Sequence, residues 1–164
     1  MNLYLIRHGI AADPAEYSTD AERPLTEVGQ QKTRKVAKQL KKLGVEFDLI
    51  LTSPLVRAQE TADILRRVGL SSQVMEEQAL APGGEIKTWL SWLETWRQNG
   101  GENLALVGHQ PNLSHWAEIL VWGKARDQIV LKKAGVIGLI LPKTGMPIGN
   151  SQLFWLTPPR FLLD

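Results

Sequence analysis

Four side chains suited to phosphoryl chemistry follow short apolar runs of the chain. Arg7 and His8 come directly after a first run, Arg57 lies just beyond a second, and His109 follows a third. Each run is typical of a buried parallel strand, and open α/β sheets place their chemistry at the carboxyl ends of such strands. The sequence therefore predicts one site at which two imidazoles and two guanidinium groups meet.

Phosphoryl transfer has a use for each of these residue types. A neutral imidazole is a good nucleophile near pH 7, because its unperturbed pKa is about 6.5, and we take His8 as the nucleophile. The transferring group carries negative charge on its oxygens, and Arg7 and Arg57 can each offer them a fork of N–H donors. His109 is suited to a third contact with these oxygens, and Gly9 lets the backbone approach the phosphate. No metal or other cofactor is expected, since the arginines already supply positive charge.

The apolar runs predict the strands of a parallel sheet. They lie at residues 3–6, 48–52 and 104–108, and each is followed by a segment with a helical pattern. Right-handed crossovers bring the carboxyl ends of such strands to one edge of the sheet. After the second strand, we expect Ser53 as the N-cap and Pro54 as the first residue of a helix.

Arg57 would then lie near the first turn of that helix. A helix N-terminus carries about half a positive charge, so a cation is unfavourable there unless an anion also binds. A phosphate site would remove this conflict. The alternative is a structural Arg57 that points to solvent or pairs with Glu60.

The remaining segments complete an α/β fold. Helices are predicted at residues 27–43, 85–97 and 112–122, and residues 136–141 and 152–156 are strands separated by prolines and glycines, as in a hairpin. We therefore expect a three-layer α/β/α sandwich with a mainly parallel central sheet and an antiparallel C-terminal hairpin.

A polar loop at residues 10–25 separates the first strand from the first helix. Such a long connection is often functional. Its Arg23 has two interpretations, a structural ion pair with Asp20 or Glu22, or a peripheral contact at the pocket.

These motifs, in their order, resemble those of the histidine phosphatase superfamily, also called the phosphoglycerate-mutase-like or RHG family. The matching segments are Leu5-Ile6-Arg7-His8-Gly9, Arg23-Pro24-Leu25-Thr26 with Gly29, Ser53-Pro54-Leu55 with Arg57-Ala58 and Thr61-Ala62, and Val107-Gly108-His109. Within the superfamily, the short chain and the segments at residues 23–29 and 80–84 are most similar to the SixA-type phosphohistidine phosphatases.

This resemblance implies a phosphatase that forms a phosphohistidine intermediate on His8, with Arg7, Arg57 and His109 as phosphate binders. The implied substrate is the phosphohistidine of a histidine-containing phosphotransfer domain in two-component signalling. Phosphatases of alkyl esters need a general acid, which larger relatives supply from an inserted lid, and residues 73–85 leave no room for one. An imidazole leaving group needs far less help, which favours a phosphohistidine substrate.

Two alternative functions stay open. The first is a phosphatase for small phosphate esters, such as sugar phosphates or nucleotides, in which Glu76, Glu77 or Glu85 is the general acid. The second is a non-catalytic phosphoprotein-binding module, in which the Trp-rich helix at residues 85–97 docks a partner. The intact set of site residues argues against the second, and core packing is the simpler role for the tryptophans.

Length and composition predict one domain that spans residues 1–164. The chain is 43% hydrophobic and 22% charged, which suits a single core. Its formal net charge of +2 is too small to indicate binding to nucleic acid or to a membrane. It contains no cysteine, which excludes disulfides and thiolate metal sites, and no segment has the pattern of a signal peptide or membrane span. We therefore expect a cytoplasmic protein.

Overall fold

Six strands form one mixed sheet in the computed structural model, which describes residues 1–163. The strands are β1 (Asn2–Arg7), β2 (Leu49–Thr52), β3 (Val74–Glu76), β4 (Asn103–Gly108), β5 (Val136–Ile140) and β6 (Gln152–Thr157). Their order across the sheet is β3-β2-β4-β1-β5-β6. The first four strands are parallel, whereas β5 is antiparallel to β1 and to β6. The predicted parallel core and C-terminal hairpin are confirmed.

Four helices cover the two faces of this sheet. They are α1 (Glu27–Lys42), α2 (Val56–Val68), α3 (Ile86–Gln98) and α4 (Asn112–Trp122). Residues of α1 and α2 belong to one buried apolar cluster, and residues of α3 and α4 belong to another. The predicted three-layer α/β/α sandwich is therefore confirmed. No helix within residues 1–163 has both the length and the apolar character needed to cross a membrane.

The central strands are apolar on both sides, as a sheet covered on both faces requires. Leu5 packs into the cluster with α3 and α4, and its neighbour Ile6 packs into the cluster with α1 and α2. Leu106 and Val107 divide between the two clusters in the same way. This two-sided burial explains why continuous apolar runs mark β1 and β4 in the sequence.

The tryptophans of α3 belong to the core. Trp89 is fully buried and stacks on Trp116 of α4, with 5.6 Å between the ring centroids. Trp92 and Trp96 are partly buried against the same cluster. The core interpretation of this stripe is therefore confirmed, and the interpretation as a docking surface loses its support.

The start of α1 holds the helix directly against the segment that follows β1. Thr26 is the N-cap, and its side-chain oxygen accepts a hydrogen bond from the Gly29 N–H at 2.9 Å. A Cβ atom at Gly29 would lie 2.1 Å from the carbonyl oxygen of Ile10. This close approach requires a glycine and places α1 beside the proposed nucleophile.

The start of α2 differs from the prediction. The helix begins at Val56 with Leu55 as its N-cap, so the assignment of Ser53 as N-cap and Pro54 as first helical residue is wrong. Ser53 Oγ instead accepts a hydrogen bond from the Leu55 N–H at 3.2 Å. The turn between β2 and α2 is thus longer than expected, and it leaves the Ser53 hydroxyl proton available to another element.

Candidate active site

The ends of β1 and β4 bring two histidines together. The register aligns the last residues of these two strands, and His8 and His109 are the residues that follow. Their ring centroids lie 5.1 Å apart. Strand β2 lies on the other side of β4, and the start of α2 carries Arg57 to the same place, where it contacts His8. The structure therefore brings these three predicted site residues together.

His8 has a hydrogen-bond partner at each ring nitrogen. Nδ1 lies 2.7 Å from the carbonyl oxygen of Gly9, which can only accept, so Nδ1 carries the proton and donates it. Nε2 then carries the lone pair and accepts a hydrogen bond from Arg57 Nε at 3.3 Å. This arrangement leaves the lone pair on Nε2, the nitrogen that the expected nucleophilic role of His8 would use.

Burial keeps both site imidazoles neutral. Desolvation lowers the pKa of His8 from 6.5 to about 3, with smaller contributions from His109, Arg57 and Arg7, while the hydrogen bond to Gly9 acts in the opposite direction. Desolvation, followed by the charge of Arg57, lowers the pKa of His109 to about 4. His8 is therefore neutral across the physiological pH range, the state that the expected nucleophilic role requires.

These low pKa values predict that folding stability depends on pH. In the unfolded chain both imidazoles titrate near pH 6.5, so below that pH the unfolded chain binds protons that the folded protein does not. Stability is therefore complete above about pH 7 and falls as the pH decreases, by about 2 kcal/mol for each histidine at about pH 5. Denaturant unfolding at these two pH values measures the loss. His8→Ala should remove its own share, and an undiminished loss in that variant would contradict a buried neutral His8.

Asp20 holds Arg57 in place. Arg57 Nη1 donates to the carbonyl oxygen of Asp20 at 2.7 Å, and Nη2 pairs with the carboxylate oxygen Oδ2 at 2.8 Å. The other carboxylate oxygen pairs with Arg23 Nη1 at 2.8 Å. Hydrogen bonds from Arg23 and then Arg57 lower the pKa of the Asp20 carboxyl, which is therefore ionised near neutral pH.

The alternative interpretation of Arg57 is therefore wrong. The side chain is buried and does not point to solvent. Glu60, its suggested partner, instead accepts a hydrogen bond from the Leu25 N–H at 2.6 Å. An anionic group does lie at the start of α2, but it is the Asp20 carboxylate from the loop at residues 10–25.

Asp20 is a site residue that the sequence analysis did not single out. The sequence suggests Asp20 only as a partner of Arg23, and that ion pair is present. Arg23 therefore forms the structural ion pair with Asp20 that one interpretation expects. Because Asp20 also contacts Arg57, Arg23 lies at the border of the site, as the other interpretation expects. An acidic residue three positions before an arginine in a long loop was the one available signal.

Arg7 and His109 each have a buried nitrogen without a hydrogen-bond partner within residues 1–163. These atoms are Arg7 Nε and His109 Nδ1. Arg7 Nη1 donates to the Leu131 carbonyl at 3.0 Å, and His109 Nε2 lies 2.7 Å from Ser53 Oγ. Ser53 Oγ can donate its own proton to Nε2, and in that tautomer the imidazole proton lies on Nδ1. Arg7 Nε and, in that tautomer, His109 Nδ1 are unpaired buried donors, which suit a ligand rich in acceptor atoms.

Gly9 contacts the site differently from the prediction. Its N–H donates to Thr61 Oγ1 at 3.1 Å and is therefore not free for a phosphate. A Cβ atom at Gly9 would lie 2.4 Å from Thr33 Oγ1. The glycine thus allows the chain to pass close to α1, and its carbonyl oxygen orients the His8 ring.

The three glutamates considered as general acids have other partners or face solvent. Glu76 accepts hydrogen bonds from two glutamine side chains. Glu77 caps the short 3₁₀ turn Gln78–Leu80. Glu85 is exposed and precedes α3. These contacts give no support to any of the three as a proton donor at the site.

Comparison with known proteins fits this geometry. The family model of the histidine phosphatase superfamily (branch 1) matches residues 3–81. Over 159 residues, which are 93% of this chain and 93% of its relative, the sequence is 32% identical to phosphohistidine phosphatase SixA of Escherichia coli (strain K12). The chain belongs to the histidine phosphatase superfamily. The SixA-type resemblance of its motifs is confirmed, and this histidine phosphatase is an enzyme.

Other relatives extend the similarity over the whole chain. An uncharacterized protein of Picosynechococcus sp. is 46% identical over 164 residues and covers 99% of each chain. A structure of the protein histidine phosphatase SixA complexed with tungstate superposes with a TM-score of 0.87, at 25% identity and 99% coverage of each chain. The fold is also shared with the α-ribazole phosphatase of Shigella flexneri, with a TM-score of 0.68, 20% identity and 97% coverage of each chain. The fold alone therefore does not determine the substrate of a histidine phosphatase.

Proposed function

We propose that this histidine phosphatase removes the phosphoryl group from a phosphohistidine of a signalling protein, such as a histidine-containing phosphotransfer domain. The observation that carries the proposal is the pairing of the Asp20 carboxylate with two arginines, Arg23 and Arg57. Within residues 1–163, this is the carboxylate that pairs with a proposed phosphate-binding side chain. Because two arginines hold its pKa low, Asp20 is not a proton donor near neutral pH. The expected leaving group is therefore one that departs without a proton from the enzyme.

The relatives support the same substrate class. The Escherichia coli relative is named a phosphohistidine phosphatase, and the SixA structure contains tungstate, which like phosphate is a tetrahedral oxyanion. The two unpaired donors at Arg7 and His109 suit the oxygens of such an anion.

In the first step, His8 Nε2 attacks phosphorus. The Nε2–P bond forms while the P–N bond of the substrate breaks, and the electron pair of that bond goes to the substrate nitrogen. A proton on the second nitrogen of the substrate ring lets the ring leave as neutral imidazole. His8 Nδ1 keeps its proton throughout, because the Gly9 carbonyl oxygen accepts it.

In the second step, water attacks phosphorus and inorganic phosphate is released. The electron pair of the Nε2–P bond returns to His8, and the proton lost by water goes to the phosphate or to solvent. The phosphorylated ring, with its proton on Nδ1, carries a positive charge as a protonated imidazole does. Burial disfavours that charge, as the lowered His8 pKa of about 3 indicates, so the ring releases the phosphoryl group readily.

The charge on the transferring group is stabilised by fixed donors. Arg57 can present Nη2 to a phosphoryl oxygen once the Asp20 carboxylate gives way, while Nη1 still donates to the Asp20 carbonyl and the carboxylate keeps its second partner, Arg23. Arg7 Nε and His109 Nδ1 supply two more donors. Such preorganised donors are usually the largest contribution to catalysis in phosphoryl transfer.

Substrates with different leaving groups test the proposal. A phosphohistidine protein and an aryl phosphate should both be hydrolysed with a kcat/KM at least about a hundredfold above that of a sugar phosphate, because an alkoxide needs a proton donor. Glu76→Gln, Glu77→Gln and Glu85→Gln should each leave these values within about twofold. Efficient sugar-phosphate hydrolysis that collapses in one of the three variants would favour the small-ester phosphatase instead.

A further inference from the structure

Three lysines surround a cavity beside the active site. The cavity has a volume of about 460 Å³ and is lined by Lys32, Lys132, Lys133 and Arg7, with Ile10 and Pro159 among its apolar residues. Arg7 is therefore common to this cavity and to the active site. Anything that fills the cavity would lie next to a phosphoryl group bound by Arg7.

The positive charge of this cavity is not compensated within residues 1–163. All three lysines are exposed and form no ion pair there, and no carboxylate lines the cavity. A second basic cavity lies between α1 and α2 and is lined by Lys41, Asp63 and Arg67, among others. Part of its positive charge is neutralised, because Arg67 pairs with Asp63 and Lys41 pairs with Glu46. The lining of the cavity beside Arg7 thus contains no carboxylate that would compete with an anionic partner.

The backbone of the proposed nucleophile fixes two of the lysines. The Ala134 N–H donates to the carbonyl oxygens of Arg7, at 3.0 Å, and of His8, at 3.2 Å. The Arg7 side chain donates to the carbonyl that precedes Lys132, at 3.0 Å. Ala134 has a φ of 58°, which is unfavourable for a residue with a side chain, so these contacts hold the turn in a strained form. The backbone that carries Lys132 and Lys133 is therefore held beside the backbone of His8.

The third lysine is fixed from the opposite side of the cavity. Lys32 lies in α1, between two residues that pack against the chain around His8. Gly29, one turn earlier, lies against the Ile10 carbonyl, and Thr33, the next residue, lies against Gly9. The three lysines thus form a basic surface whose position is set relative to the nucleophile.

We propose that this lysine rim, defined as Lys32, Lys132 and Lys133, binds acidic side chains that flank the phosphohistidine on the substrate protein. The inference rests on the proposed function and names the surface chemistry of its substrate. A protein whose phosphoryl group enters the active site must lay adjacent surface over the rim, where lysines attract carboxylates and speed the encounter. A small phosphate ester is too short to use such a contact.

Competition between synthetic peptides tests the rim. Two peptides of equal length carry one phosphohistidine flanked by aspartates or by asparagines, and each is used to inhibit aryl phosphate hydrolysis. In the wild type, the aspartate peptide should have an inhibition constant at least about tenfold below that of the asparagine peptide at low salt, and the preference should shrink as salt is added. The charge preference is expressed as the inhibition constant of the asparagine peptide divided by that of the aspartate peptide. Because both constants are measured on the same variant, this ratio is independent of any change in the basal rate.

The decisive variant combines Lys32→Gln, Lys132→Gln and Lys133→Gln, which should bring the ratio close to one. Its matched control combines Lys35→Gln, Lys38→Gln and Lys42→Gln on the exposed side of α1, and should keep the wild-type ratio. Equal inhibition by both peptides in the wild type, or an equal loss of the preference for the aspartate peptide in both triple variants, would overturn the proposed role of the lysine rim. If the triple rim variant fails to fold, the single variants Lys132→Gln and Lys133→Gln must each lower the ratio.

Failure of the proposed function would give a different result. In that case the peptides would inhibit with the predicted charge preference but would release no phosphate. Failure of the rim alone would give phosphate release from both peptides with no charge preference. Inhibition is followed by the phenol that the aryl phosphate releases, and phosphate release from each peptide is measured in parallel samples without aryl phosphate, so the two results are distinguishable.

Discussion

His8→Ala should lower turnover by at least about a thousandfold and leave the protein folded. Nε2 is the nucleophilic atom in the proposed reaction, and the other imidazole of the site, His109, is already bonded to Ser53. Donors alone can still bind the phosphate, but no covalent intermediate can form without a nucleophile. Phosphate release from a phosphohistidine protein and from an aryl phosphate, measured together with circular dichroism, checks the result.

His115→Ala is the matched control for this variant. His115 pairs with Asp127 at 2.5 Å and makes no contact with His8 or Arg57 within the described part of the chain. The control should therefore keep a rate close to that of the wild type. A folded His8→Ala protein with substantial activity would show that another group performs the attack.

Arg57→Lys should lower kcat/KM by about tenfold to a hundredfold although the charge is unchanged. The guanidinium contacts His8 through Nε and Asp20 through both Nη atoms, and a lysine ammonium cannot reproduce three contacts in one plane. The variant therefore loses the fork that is proposed to bind the phosphoryl oxygens and the contact to His8 Nε2. Steady-state kinetics on a phosphohistidine protein and an aryl phosphate measure the loss.

Arg66→Lys serves as the control on the same helix. Arg66 pairs with Asp63 at the surface, and such exposed ion pairs contribute little to stability. This substitution should leave kcat/KM within about twofold of the wild type. Equal rates for Arg57→Lys and the wild type would mean that the fork has no catalytic role.

The sequence allowed the convergence of His8, Arg57 and His109 to be predicted for a physical reason. Parallel strands buried on both faces appear as continuous apolar runs, and right-handed crossovers place their carboxyl ends on one edge. The residues after β1 and β4 must then be neighbours, as the 5.1 Å between the two imidazole rings shows. Contacts between residues distant in sequence could therefore be predicted where the pairing of strands imposes them.

The hydrogen-bond partners of individual side chains could not be predicted from the sequence in this way, because they depend on tertiary packing. The capping pattern at Ser53 is local, but its hydroxyl contacts His109, 56 positions away, and the helix begins later. Asp20 reaches Arg57 across 37 positions from a loop with no periodic pattern. Gly9 fits the expected close approach of the backbone, yet the chain it approaches is α1, because Thr33 lies against it. Local rules predict which groups need partners, and only packing selects the partners.

The attack of His8 on phosphorus is tested most directly by trapping the intermediate. The wild-type protein is mixed with a radiolabelled phosphohistidine protein, quenched within the first turnover and analysed for covalent label. The account predicts a phosphoryl group on His8 that is stable to alkali and labile to acid, as an N-linked phosphate should be, and that is absent from His8→Ala. A label on a carboxylate, which alkali would remove, or a label on His109 would contradict it.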